Sequence, residues 1–130
     1  MEEKKFLVKI VGIIFDPKTR RILVGKGEGD TKYSFIEDDL DYGLELDKKL
    51  KKAALERTGY KIHNLGAVYA ENMLQREDKL KIHFLCEATE GKEKPGKDVK
   101  ELLWVKPSNV EDKLQVKLPT RLQEYLLNLE

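Results

Sequence analysis

Residues 38–60 read DDLDYGLELDKKLKKAALERTGY, and the second half of this stretch has the period of a helix. Leu46, Leu50, Ala53 and Ala54 recur at spacings of three and four, which gathers them on one face. Lys48, Lys49, Lys51 and Lys52 fall largely on other faces, among acidic residues, and read as a solvated surface. Gly59 ends the pattern, because glycine enters the left-handed conformation that closes a helix without steric penalty. The spacing predicts an amphipathic helix over residues 46–58.

Outward from this helix the period changes to that of strands. Phe6 to Phe15 is nearly all apolar and suits a strand buried on both faces. The turn-like Asp16-Pro17-Lys18-Thr19 and the apolar Arg21 to Gly25 complete a hairpin. Gly27, Gly29 and Asp30 mark a turn, Tyr33 to Ile36 is briefly apolar, and Glu37 to Gly43 reads as an acidic loop. Downstream, residues 62–70 and 79–89 form two further strands. In the second of these, Leu80, Ile82, Phe84, Cys86 and Ala88 share one face, while Lys81, His83, Leu85 and Glu87 share the other. Glu90 to Lys97 is an exposed loop, Leu102 to Val105 a short strand, and Pro107-Ser108-Asn109 a turn or short helix. A last helix follows Leu118-Pro119-Thr120, with Leu122, Tyr125, Leu126 and Leu129 along one face. A sheet this apolar on both sides must be covered by helices, so the fold class is α/β, a mixed β-sheet between helical layers.

Composition narrows the function classes. One domain accounts for all 130 residues, and 25 Lys and Arg against 24 Asp and Glu leave a net charge of +1. No field of one sign argues for nucleic acid or a membrane surface. The single Cys86 rules out an internal disulfide and suits the core of a protein kept in a reducing compartment. With no signal-like or membrane-length apolar run, a cytoplasmic protein is expected. His63 and His83 lie in separate strands without Cys or acidic partners at a recognisable spacing, so no zinc site is expected.

The loop and helix at 38–60 resemble the Nudix signature, a 23-residue stretch written G-x5-E-x7-R-E-U-x-E-E-x-G-U with U aliphatic. Gly59 agrees with its terminal glycine, Glu56 with the first of its paired glutamates, and Ala54 with its aliphatic site. Asp38 stands for the opening glycine, Leu44 for the first glutamate, Lys52 for the arginine, Ala53 for the next glutamate, and Arg57 for the second of the pair. Upstream, Tyr33 and Phe35 precede Ile36-Glu37-Asp38 where the family has a Pro-Gly-Gly turn. Downstream, Glu101 to Val105 and Pro107 are similar to its late strand. The resemblance implies a single Nudix-like α/β/α sandwich over residues 1–130.

It also implies a chemistry that the residues only partly support. Active members attack a phosphorus of a nucleoside diphosphate linked to another group, with Mg²⁺ or Mn²⁺ held by several carboxylates. A hard divalent ion needs those oxygen ligands. On the helix, Ala53, Glu56 and Arg57 leave one acid where three are needed, and Arg57 can pair with Glu56 and repel a metal. The expectation is a degenerate site that needs no resident cofactor and serves as a nucleotide-binding, phosphate-binding or protein-interaction domain. In that case Arg57, Lys52, Tyr33 and Trp104 are the candidate ligand-binding residues. Arg57 would hold a phosphate by paired hydrogen bonds. Tyr33 and Trp104 would join an aromatic pocket with Tyr69 and Phe84.

The alternative is a divergent Mg²⁺- or Mn²⁺-dependent hydrolase. It would use Glu56, Asp41 and Asp38 as catalytic residues and Glu56 with Asp38 as metal ligands; Asp98 or Glu101 would be a further acid from the second half. An unrelated small α/β domain is the third possibility. The expected partners are a nucleotide or phosphorylated small molecule, or a second protein or second copy of the chain, rather than membrane or nucleic acid.

Overall fold

The structure is a computed structural model that describes residues 5–74 and 78–130. Six strands form one mixed sheet: β1 (Leu7–Asp16), β2 (Arg21–Lys26), β3 (Ile36–Leu40), β4 (Tyr60–Asn72), β5 (Lys79–Gly91) and β6 (Glu101–Val105). The main order is β4-β5-β1-β2-β6, with β3 beside β1 off that path. β1 is the organising strand. One edge pairs in parallel with β5, from Leu7 with Lys79 to Phe15 with Glu87. Its other edge is divided, the first half pairing antiparallel with β3 and the second half with β2 through the tight hairpin.

Because β1 is flanked on both edges and covered on both faces, its apolar run is buried, with Ile10, Ile13 and Ile14 fully enclosed. Even-numbered β1 residues Ile10 and Ile14 pack with Leu23, Ile36, Phe84 and Cys86 under α1 (Leu46–Thr58), which contributes Leu50 and Ala54. Odd-numbered Val11, Ile13 and Phe15 pack with Ile22, Val24 and Phe35 on the opposite face. That face is closed by α2 (Val110–Leu114) and α3 (Thr120–Leu127) through Val110, Leu114, Leu122 and Leu126. The result is a mixed sheet between helices, as the apolar patterning demanded. No helix among the described residues is long and apolar enough to cross a membrane.

α1 spans the predicted residues and stops at Gly59, whose φ of 81° is left-handed and whose amide bonds the Leu55 carbonyl. The loop after β5 completes the cap: the amides of Lys94, Gly96 and Lys97 donate to the carbonyls of Thr58, Arg57 and Glu56 at 2.9–3.1 Å. These are the carbonyls a helix end leaves without internal partners.

One element differs from the sequence reading. Residues 36–40 are not an acidic loop but strand β3, with Glu37 opposite Val11, Asp38 opposite Ile10 and Asp39 opposite Lys9. Backbone pairing is possible there because each carboxylate meets a cation from elsewhere in the chain. The turn or short helix expected at Pro107-Ser108-Asn109 is a 3-10 turn (Pro107–Asn109) that continues into α2, whose buried Val110 and Leu114 close the core.

Candidate functional site

The alternation of β3 sorts its acids onto two faces. Asp38 points toward α1, where one carboxylate oxygen lies 3.3 Å from Arg57 Nη2 and the other 3.7 Å from Lys49 Nζ. Glu37 and Asp39 point the other way. Lys9 Nζ is 3.5 Å from Glu37 and 3.7 Å from Asp39, and Lys81 Nζ is 3.9 Å from the second Glu37 oxygen.

Arg57 is the central surprise. It is only 6% exposed, although it is a cation on a helix. Adjacent helical residues diverge by roughly 100° around the axis, so Arg57 cannot turn back to Glu56 as the sequence suggested and instead reaches Asp38. Its second acid, Asp98, lies 4.0 Å away and is 77% exposed, and its Nη1 is buried with no hydrogen-bond partner. Glu56 is on the solvent side of α1 with Lys52, and neither has an ion-pair partner among the described residues. Asp41 is tied loosely to the cluster through Lys49 at 3.9 Å, and its carboxylate receives the Gly43 amide at 2.7 Å.

Two cavities meet over this cluster. The smaller, about 250 Å³, is lined by Arg57, Asp38, Asp98, Lys9 and the Gly25-Lys26-Gly27 segment. The larger is an open cleft of about 1170 Å³ whose walls include Tyr33, Phe35, Lys81, His83, Leu118 and Pro119. Glu37, Asp30, Ser34 and Phe35 line both. Tyr33 donates to Glu101 at 2.9 Å beneath Lys26, whose Nζ is 4.9 Å from the ring centre. Burial, reinforced by Glu101, holds its phenol above the usual tyrosine range. His83 is buried between the ring edges of Phe35 and Tyr69, and its Nδ1 has no partner. Burial, and then the nearby Lys81 charge, pushes its imidazole down to about 4, so it is neutral near pH 7.

Trp104 is not part of this cleft. It packs on the α1 face, edge-on to Tyr60, and donates to Glu93 at 2.8 Å. Tyr33 and Tyr69 pack on the opposite face, so the aromatic pocket expected from Tyr33, Trp104, Tyr69 and Phe84 does not form. Glu101 is occupied by Tyr33 and Lys26. The structure thus brings Asp38, Asp41 and Arg57 together and leaves Glu56, Lys52 and Trp104 apart. Lys9, Lys81 and His83 had no motif to mark them; only the register of β1 with β3 and β5 places them beside Glu37.

Asp38 is already shared by two cations, Glu56 faces away, and no group of three or more His, Cys, Asp or Glu among the described residues is arranged to hold a divalent metal. Arg57, Lys9, Lys49 and Lys81 bring positive charge to these acids.

No protein-family model and no curated protein sequence matches the chain. Solved structures do. A NUDIX hydrolase from Nitrosomonas europaea is similar with a TM-score of 0.79 at 11% identity, over 96% of this chain and 72% of that one. MutT, from a study of the Aliivibrio salmonicida and Vibrio cholerae proteins, gives 0.74 at 15% identity over 94% and 96%. A UDP-X diphosphatase gives 0.72 at 19% identity, over 98% of this chain and 63% of that one. At such identities the likeness speaks to architecture, and with the topology above it establishes that this chain folds as a Nudix-like α/β/α domain.

Proposed function

We propose that this domain binds a nucleotide or similar phosphorylated small molecule without a divalent metal, and that hydrolase activity is lost or much reduced. The observation that carries the reading is the buried Arg57. It stands at the helix position where the Nudix signature has an acid, salt-bridged to Asp38 where the signature has a glycine. A cation and its partner acid occupy the place where opposed carboxylates would be required for metal. Arg57 Nη1, which has no protein partner, is a donor of the kind that a phosphate oxygen satisfies. The adjoining cleft offers Phe35, Tyr33 and the neutral His83 for a flat, polar-edged group.

Calorimetric titration with ADP and ADP-ribose in EDTA tests this. Binding that weakens at least about tenfold in Arg57→Met is expected; absence of binding, or affinity unchanged by the substitution, overturns the proposal. Phosphate release from a nucleotide panel with Mg²⁺ or Mn²⁺ tests the second part. Turnover abolished by Glu56→Gln would restore the hydrolase reading.

A further inference from the structure

Lys9 and Lys81 stand directly beside each other in the parallel register of β1 and β5, on the sheet face that floors the cleft. Two lysines in lateral contact repel unless an anion lies between them. Glu37 is that anion: Lys9 approaches its Oε1 and Lys81 its Oε2, so one carboxylate bridges both. The next residues along the same face are Val11 beside His83 and Ile13 beside Leu85, so the charged pair begins where apolar packing ends. Stability alone does not call for it, since a packed apolar pair in such a position is commonly as stable as an ion pair or more so.

Its position suggests another use. Lys9 lines the smaller cavity, Lys81 the larger, and Glu37 both. Glu37 is one of four residues, with Asp30, Ser34 and Phe35, on the rim that the two cavities share between the aromatic cleft and Arg57. We propose that Lys9 and Lys81 are the seat for an anionic phosphate group of the ligand, and that Glu37 is a built-in placeholder which the ligand displaces. The ligand class is then a flat group in the large cleft joined to a diphosphate that runs across the two lysines toward Arg57. A displaced Glu37 would remain near the entering anion, so its charge lowers affinity and makes binding a competition.

This inference rests on the proposed metal-free binding, and the experiment separates the two. Titration in EDTA uses ADP and inorganic pyrophosphate against wild type, Glu37→Gln, and Glu37→Gln combined with Lys9→Met or Lys81→Met. Glu37→Gln should tighten both probes about tenfold, and either lysine substitution should remove the gain. In the wild type, pyrophosphate should protect Lys9 and Lys81, but not the exposed Lys52, from reductive methylation mapped by mass spectrometry. If Glu37→Gln tightens binding less than about threefold, or protection is absent, the placeholder is overturned. Metal-free binding then stands if it still depends on Arg57. If no variant binds either probe, both fail.

Discussion

Neutralising Asp38 should destabilise the fold more than removing Arg57, although the two are partners in one ion pair. At 3.3 Å, the Arg57–Asp38 attraction is about 5 kcal/mol at an effective dielectric of 20, before the cost of burying both charges. In Arg57→Met, Asp38 keeps Lys49 at 3.7 Å and the new side chain retains the apolar packing of the arginine stem. The loss should be roughly 1–2 kcal/mol. In the isosteric Asp38→Asn, the guanidinium stays buried and is left with Asp98, which is 4.0 Å away and 77% exposed, hence strongly screened. An uncompensated buried cation costs about 3–5 kcal/mol. The double variant removes that cation and should recover much of the loss. Urea unfolding followed by the fluorescence of Trp104, the only tryptophan, measures all four proteins. Arg57→Met at least as damaging as Asp38→Asn, or a double variant as damaged as the two losses summed, would refute the assignment of Arg57 as the buried, dependent partner.

Two further outcomes are expected. With His83 at about 4 when folded and its ordinary 6.5 when unfolded, the unfolded chain binds a proton that the folded chain refuses between those values. Stability therefore falls as pH drops through that window, by up to about 3 kcal/mol from this group. His83→Gln should flatten the slope of urea midpoint against pH, and parallel slopes would contradict it. Gly96→Ala would drive a β-carbon into the Glu56 carbonyl, backbone against backbone, and break the cap on α1. A loss of about 2 kcal/mol or more is expected, read as a fall in Tm of about 8 °C; a Tm unchanged within error would refute the close docking.

The layout was legible where one local signal dominated. The apolar run of β1, the turn at Asp16–Thr19 and the three-four spacing before Gly59 each mark their element without help from distant residues. β3 was hidden because Glu37, Asp38 and Asp39 oppose strand formation when read alone. Their compensation comes from Lys9, Lys49, Arg57 and Lys81, which no local window joins to them. The site was legible only as substitutions within a signature. Adjacency in sequence suggested Arg57 with Glu56, whereas helical geometry sends the two side chains to different sides. Tyr33 and Trp104 were separable only once the sheet's faces were known.

The divided edge of β1 has a consequence for how the chain reaches its native state. Its hairpin with β2 needs only a few residues of loop, and β3 follows soon after, but the parallel partner β5 lies some seventy positions later in the chain. Until that partner emerges, a growing polypeptide exposes one whole side of its most apolar strand to other molecules. Assembly of this domain is then paced by a long-range closure rather than by local helix formation. The interval before that closure is when a nascent chain would be most prone to self-association.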